Sequence, residues 1–244
     1  RARFTSEYWC IGVIDAPIDK VLSQERLQVR WITRPDPRGY WADPFGIPGD
    51  PERLTAEYFD ERTGKGHLEL LTLDSEGSIR FRRKLEVGEG EHTSFPAVFE
   101  LDGRRFGLAE QSAGASVVLH EVDARGEWRP VATLLEGVHA ADPVLFKVGT
   151  RYWLAYTNLA IGSMDNLCLA YADDIAGPWQ LHANNPVKVD VRSARMAGRP
   201  FLHEGHLYRP AQDCLGRYGS AVVILRVDEL SPTRFEETVV RRLE

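Results

Sequence analysis

The feature that most constrains the fold of this chain is a fourfold repeat of an Xaa-Pro step, each followed by a short apolar run. The steps are Asp43-Pro44, Phe95-Pro96, Asp142-Pro143 and Arg199-Pro200. They recur at intervals of about fifty residues, and such a period made of short β-type segments is typical of propellers and other repeat arrays. The spacing therefore predicts four copies of one β-rich unit.

In three units a turn glycine is followed seven residues later by a polar residue that comes directly after an alanine. A glycine turn between two strand-like segments predicts a hairpin, which returns the second strand to the end where the first began. We therefore expect the Xaa-Pro step and the polar residue of each unit to lie on one rim and, in a ring of units, to converge on one mouth. The pairs are Gly103 and Glu110, Gly149 and Tyr156, Gly205 and Gln212 and, more loosely, Gly49 and Glu57.

Two further strand-like segments follow each hairpin, and four short antiparallel strands form one blade of a β-propeller. Two more strand-like runs, residues 8–14 and 27–32, precede the first unit. We therefore predict an all-β, five-bladed β-propeller in which four blades are readable and the fifth is closed by the N-terminal strands and incomplete. No helix is expected. A linear solenoid is the alternative architecture.

The composition is that of a soluble globular protein, with 43% hydrophobic and 27% charged residues. The net charge of −6 argues against a nucleic acid partner, because binding phosphates requires a concentrated basic surface. No apolar run has the length of a membrane span. We expect residues 1–244 to form a single domain, and a first residue other than Met is compatible with excision from a longer chain.

Cys10, Cys168 and Cys214 are an odd number of cysteines without a Cys-x-x-Cys spacing. This pattern predicts free thiols rather than a disulfide framework, which favours the cytoplasm. The histidines lack the spacing and the carboxylate partners of a metal site. We therefore expect neither a metal nor another cofactor.

The residues predicted to share the mouth are polar, rich in carboxylates and flanked by aromatic side chains. This mixture suits the hydroxyl groups and ring faces of sugars, so a carbohydrate or sugar phosphate is the expected ligand. The candidate substrate-binding residues are Trp41, Glu57, Asp60, Ser94, His139, Tyr156, Arg192, Arg195, Arg199, Gln212 and Asp213.

Three further carboxylates are the candidate catalytic residues. Glycoside cleavage needs a carboxylic acid to protonate the leaving oxygen and a carboxylate to activate water or attack the anomeric carbon. Asp43 and Asp142 occupy equivalent positions in non-adjacent units, and Glu110 lies in the unit between them. The alternative interpretation is structural, because Asp-Pro steps also end loops and polar residues also cap turns.

Three arginines lie close together before the fourth inner strand, at Arg192, Arg195 and Arg199. Guanidinium groups bind carboxylates and phosphates with two parallel hydrogen bonds. The cluster therefore suits a uronic acid, a sugar phosphate or a nucleotide sugar. Pairing with nearby acids such as Asp190 is the alternative.

Two protein families resemble this sequence. Ala42-Asp43-Pro44 and Ala141-Asp142-Pro143 resemble the Asp-Pro steps of the five-bladed family-43 glycoside hydrolases, which include arabinanases and xylosidases. A closer resemblance is to the propeller-type N-terminal domain named for plant glucosamine inositolphosphorylceramide transferase, which also occurs beside formyltransferase-like domains. The stretches that carry it are residues 41–46, 183–188, 191–195 and 207–214.

The hydrolase resemblance implies that Asp43 is the general base and that Asp142 orients and tunes the acid. It also implies an acidic Glu near the start of the fourth inner strand, where this chain has Gly198-Arg199-Pro200. Two hypotheses follow. The chain is a carbohydrate-active enzyme in which Glu110, or alternatively Glu57, replaces that acid. Otherwise it is a non-catalytic glycan or sugar-phosphate recognition domain that accompanies a glycosyl- or formyltransferase. We rank the enzyme first.

Overall fold

The computed structural model describes residues 8–32, 37–74, 76–88, 90–111 and 114–243. These residues form four antiparallel sheets, a two-stranded N-terminal ribbon and one short helix. The prediction of an all-β propeller is confirmed. No helix in the described part of the chain is long and apolar enough to cross a membrane.

The N-terminal segment differs from the prediction. It consists of β1 (Gly12–Val13), α1 (Ile18–Ser23) and β2 (Arg30–Trp31), and β1 pairs with β2. The expectation of an entirely helix-free chain was wrong, because Pro17, whose fixed φ suits a helix start, leads into α1 and Asp19 lies in its first turn. The predicted five-blade count was wrong for the described residues, which form four full blades, because the N-terminal segment supplies only a two-stranded ribbon.

Each blade is an antiparallel meander of four strands, and blade 3 carries one additional short strand. Blade 1 consists of β3 (Gly39–Ile47), β4 (Asp50–Asp60), β5 (Lys65–Leu73) and β6 (Ile79–Lys84). Blade 2 consists of β7 (Thr93–Leu101), β8 (Arg104–Gln111), β9 (Ser116–Val122) and β10 (Trp128–Glu136). Blade 3 consists of β11 (Ala140–Val148), β12 (Arg151–Asn158), β13 (Asn166–Ala172), β14 (Gln180–Leu181) and β15 (Lys188–Val189). Blade 4 consists of β16 (Phe201–His203), β17 (His206–Asp213), β18 (Ala221–Leu230) and β19 (Phe235–Leu243).

The first three Xaa-Pro steps share an unusual backbone. Asp43, Phe95 and Asp142 have φ values of 49°, 51° and 50°, in the left-handed region that non-glycine residues rarely adopt. At each of them the register of the inner hairpin shifts, as in a β-bulge. The fourth step is different, because Arg199 precedes β16 and the positive φ there, 155°, belongs to Gly198.

Apolar side chains fill the spaces between neighbouring blades. Leu70 of blade 1 packs in one buried cluster with Val98 of blade 2. Leu119 of blade 2 packs in another with Leu154 of blade 3. Ile11 from the N-terminal segment joins a cluster on blade 1. The inner strands are therefore held at fixed positions, which fixes the residues at their bulges.

The cysteines make no disulfide with one another. Cys168 and Cys214 are buried, and Cys10 is exposed.

A buried ion pair within blade 4 also anchors the loop that precedes this blade. Arg209 on β17 is 2% exposed and donates two hydrogen bonds to the Glu237 carboxylate, at 2.6 and 2.8 Å. It also donates to the backbone carbonyls of Ser193, at 2.6 Å, and Ala194, at 3.1 Å. The loop that carries Arg195 is thus fastened to blade 4.

We predict that Arg209→Met lowers the free energy of unfolding by about 3 kcal/mol or more. The variant loses the buried guanidinium that bonds Glu237 and the carbonyls of Ser193 and Ala194, while Glu237 keeps its contact with Lys188 at 2.7 Å. Arg226→Met is the matched control, since Arg226 forms an exposed pair with Asp228 in the same blade. Its expected cost is at most about 1 kcal/mol. Urea unfolding measures both values, and equal costs would contradict a structural role for the buried pair.

Candidate functional site

Four carboxyl groups from three blades lie together at one end of the inner strands. Asp43 is the bulge residue of β3, and its neighbour Ala42 pairs with Glu57 on β4. Glu110 on β8 accepts a hydrogen bond from the backbone N–H of Asp142 at 3.2 Å. Asp142 is the bulge residue of β11. The bulges and the hairpin registers therefore bring these acids together, as the sequence predicts.

Arg195 is the cation of this cluster. Its Nε and Nη2 donate to the two carboxylate oxygens of Asp142, at 2.5 and 3.2 Å, and Nη2 lies 4.0 Å from Glu110 Oε2. Nη1 donates to the Ser163 carbonyl at 2.6 Å, and the guanidinium lies 5.0 Å from the Tyr218 ring centroid. Because its donors are engaged, Arg195 neutralises carboxylates here rather than presenting a free anion site.

Gln212 completes the support of Asp142. Its Nε2 donates to Asp142 Oδ2 at 2.9 Å and to the Met196 carbonyl at 2.8 Å. The backbone N–H of Gln212 donates to the Arg195 carbonyl at 2.8 Å. Gln212 thus connects β17 both to the loop that carries Arg195 and to blade 3.

Crowding raises the pKa of three of these acids. Burial raises the pKa of Glu57 to about 9, with additional repulsion from Asp43, Glu110 and Asp142. Burial and the Asp142 charge raise the pKa of Asp43 and of Glu110 to about 7, although Arg195 lowers both. Near neutral pH, Glu57 therefore holds a proton most firmly.

A cavity of about 490 Å³, called the mouth cavity below, opens beside this cluster. Asp43 and Glu57 are the carboxylic residues among its lining. Its walls also carry aromatic side chains, and the rings of Tyr40 and Phe59 stack with centroids 5.2 Å apart. The cavity is lined by Trp9, Cys10, Ile11, Tyr40, Ala42, Asp43, Pro44, Phe45, Glu57, Phe59, His92, Phe95, Ala197, Gln212, Tyr218, Gly219, Ala221 and Val222.

Gly66 and His92 fix the position of Glu57. A Cβ atom at Gly66 would overlap the Glu57 carboxyl group, so only glycine leaves room for it. The Gly66 N–H donates to His92 Nδ1 at 2.7 Å, and this ring nitrogen lies 3.9 Å from Glu57 Oε1. Because Nδ1 accepts that bond and burial lowers the pKa of His92, the ring contributes little positive charge beside Glu57.

The structure separates the predicted site residues into three groups. The cluster contains Asp43, Glu57, Glu110, Asp142, Arg195 and Gln212, with Ser94 opposite Glu110 in the ladder. Tyr156 and Asp213 are buried, the former between blades 2 and 3 and the latter against Arg242. Trp41 is buried and donates its indole N–H to Glu69 at 2.9 Å. The remaining four residues lie outside the mouth cavity. Asp60 forms an ion pair with Arg62, His139 and Arg192 are exposed, and Arg199 lines a different cavity.

Several mouth residues were not predicted from the sequence. Phe59 lies two residues after Glu57 on β4, and strand alternation places it on the same face, so this residue was accessible to pattern reasoning. Tyr218 lies in the loop between β17 and β18, and Trp9 lies before β1. Neither loop carries a repeat signal. Among the described residues no group of histidines, cysteines or acids is arranged to hold a metal ion.

Comparison with known proteins identifies similar sequences. The family model described as glucosamine inositolphosphorylceramide transferase 1, N-terminal, matches residues 49–243. Glucosamine inositolphosphorylceramide transferase 1 of Oryza sativa subsp. indica is 28% identical over a 214-residue alignment that covers 84% of this chain and 28% of that protein. The chain therefore spans less than a third of the length of the curated relatives it matches.

Solved structures share the fold at low sequence identity. A family-43 β-1,3-galactosidase has a TM-score of 0.67 at 16% identity, covering 87% of this chain and 50% of that chain. The exo-β-1,3-galactanase of Phanerochaete chrysosporium, solved with β-1,3-galactotriose, has a TM-score of 0.63 at 13% identity, covering 85% of this chain and 54% of that chain. The chain therefore shares its propeller fold with family-43 glycoside hydrolases.

We predict that Glu57→Gln stabilises the protein more as the pH rises. A raised pKa in the folded state means that the contribution of Glu57 to stability is fully present below about pH 4.5 and is lost as the pH rises through about 9. The advantage of Glu57→Gln over wild type should grow across this window, with a limiting slope of about 1.4 kcal/mol per pH unit. Thermal unfolding from pH 5 to 9 measures it. Glu52→Gln, on the exposed part of the same strand, is the control, and a pH-independent difference for Glu57→Gln would contradict the assignment.

Proposed function

We propose that this chain, which belongs to the family of glucosamine inositolphosphorylceramide transferase 1 N-terminal domains, binds a saccharide in its mouth cavity and cleaves a glycosidic bond there. The observation that carries this proposal is the pair of carboxyl groups, Asp43 and Glu57, that face one cavity with different proton affinities. Glycoside cleavage requires such a difference, because one carboxyl group must give a proton while the other accepts one.

In the proposed reaction Glu57 is the general acid and Asp43 is the general base. Glu57 protonates the glycosidic oxygen as the bond to the anomeric carbon breaks. Asp43 removes a proton from the water that attacks the same carbon, so the products are two free saccharides and the proton balance is closed. Asp142 and Arg195 do not transfer protons in this scheme. They form an ion pair, and their charges act on the pKa of Asp43.

Glu57 suits the role of the acid better than Glu110, which the sequence suggested first. Glu110 accepts the Asp142 N–H and lies near the Arg195 guanidinium, and both contacts favour its ionised form. Glu57 lines the mouth cavity, and Arg195 does not act on its pKa. The proton is therefore retained on the carboxyl group that faces the cavity.

The aromatic walls support a saccharide as the ligand. Tyr40 and Phe59 are stacked at the cavity, and Trp9 meets Tyr218 edge to face with centroids 5.6 Å apart. Aromatic rings offer flat apolar surfaces to the ring faces of sugars, while the carboxyl groups and Gln212 offer partners to the hydroxyl groups.

A second candidate function is glycan or sugar-phosphate recognition without cleavage, as part of a transferase. It is favoured by the relatives, which are named transferases and are much longer than this chain. In that case the carboxyl groups would bind sugar hydroxyls, and a transferase region or partner would do the chemistry.

A substrate screen separates the two functions. We predict that wild type hydrolyses at least one aryl glycoside from a panel of galactosides, arabinosides, xylosides, uronides and glucosaminides. Asp43→Asn and Glu57→Gln should each lower turnover by about 100-fold or more, since positioned acid–base groups contribute that much. The rate should rise as Asp43 ionises near pH 7 and fall as Glu57 loses its proton near pH 9.

Gly66→Ala and Gly46→Ala provide a matched pair of controls for the position of Glu57. A methyl group at Gly66 displaces the carboxyl group and should lower turnover, whereas one at Gly46 meets no atom within 4 Å and should leave turnover unchanged. If wild type and Asp43→Asn bind a glycan on an array equally well and neither cleaves any substrate, the recognition function replaces the enzymatic one.

A further inference from the structure

A second cavity, called the rear cavity below, lies at the opposite end of the inner strands. It has a volume of about 660 Å³ and includes Phe99, Phe146, Arg199 and Phe201 in its lining. Phe95 of β7 lines the mouth cavity, whereas Phe99 of the same strand lines the rear cavity. Because a strand rises about 3.3 Å per residue, the two cavities are well separated along β7.

Two aromatic rings stand between the cavities. Phe45 contributes to the lining of both, and its ring meets that of Phe95 edge to face with centroids 4.9 Å apart. Both rings are buried. A molecule in the rear cavity is therefore separated from the carboxylates of the mouth cavity.

Arg199 is the unusual group in the rear cavity. In the described part of the chain its guanidinium has no hydrogen bond, ion pair or ring contact, although the residue is partly buried and burial lowers its pKa. A charged hydrogen bond at a partly buried group is stronger than one in open water, because water competes less for the donors. An incoming anion would supply acceptors to these donors.

The other charged residues of the rear cavity do not satisfy Arg199. Lys147 is held by the Asp102 carboxylate, with contacts of 2.9 and 3.0 Å. Glu100 is exposed, and no ion pair forms between it and Arg199 in the described part of the structure. Arg199 is thus the guanidinium that remains available to a ligand in this cavity.

We propose that the rear cavity binds a small organic oxyanion, with Arg199 holding its carboxylate or phosphate and the surrounding phenylalanines contacting an apolar ring. A guanidinium offers two parallel donors to either head group. Phe45, Phe99, Phe146 and Phe201 offer apolar contacts to the body of the ligand. This site is separate from the proposed saccharide site and does not require it.

Titrations of the purified chain with four probes test this proposal. Benzoate and phenyl phosphate carry the two head groups on an apolar ring, inorganic phosphate lacks the ring, and benzyl alcohol lacks the charge. We expect saturable binding of benzoate, phenyl phosphate or both, and at least about tenfold weaker binding of the other two probes. Whichever ring-bearing probe binds more tightly identifies the preferred head group.

Three variants locate the binding. Arg199→Gln should weaken binding of the preferred probe by about tenfold or more. Arg192→Gln removes an exposed arginine of the same loop and should leave binding unchanged. Asp43→Asn alters the mouth cavity and should also leave it unchanged. Isothermal titration calorimetry measures these affinities.

Amide chemical shifts of the wild type provide a test that needs no variant to fold. The preferred probe should shift signals from residues 99–101 and 198–202, and not those from Glu57 or Tyr218. No saturable binding of either ring-bearing probe overturns the proposal. Unchanged affinity in a folded Arg199→Gln variant, or shifts confined to the mouth cavity, also overturns it.

Discussion

The ion pair between Arg195 and Asp142 is the interaction on which the acidic cluster depends. Four carboxyl groups lie together, and the Arg195 guanidinium is their nearby cation. Isolated charges of one sign are costly in a protein interior, so the arginine must be held firmly for the acids to remain there. Arg209 provides this support, because it fastens the carbonyls of Ser193 and Ala194 to blade 4.

The strained bulges serve the same cluster. A left-handed conformation costs free energy at non-glycine residues, and Asp43, Phe95 and Asp142 all adopt it on equivalent strands. At two of these positions the bulge aims a carboxyl group at the site, and at the third it places a buried ring against Phe45. The same left-handed bulge thus places Asp43 and Asp142 at the acidic cluster and Phe95 against Phe45.

The sequence predicts the propeller and the meeting of Asp43 with Asp142 because both follow from spacing, which any repeat displays. It does not predict Tyr156 or Arg199 correctly as mouth residues. A repeat gives the position of a residue along a strand, whereas the face it occupies depends on register, and a shift of one residue exchanges the two faces. Tyr156 consequently lies between blades. Arg199 comes before its strand rather than at a bulge within it, and it lines the rear cavity.

The position of Arg195 also decides which acid keeps its proton. Arg195 bonds Asp142 and lies near Glu110, and its charge lowers the pKa of Asp43 and Glu110. Glu57 receives no such relief, so burial and three neighbouring acids act on it unopposed. The carboxyl groups of this site therefore differ in pKa because of their positions relative to Arg195, although all of them are ordinary Asp or Glu side chains. The proton resides on the one farthest from the arginine's influence, which is also one that faces the mouth cavity.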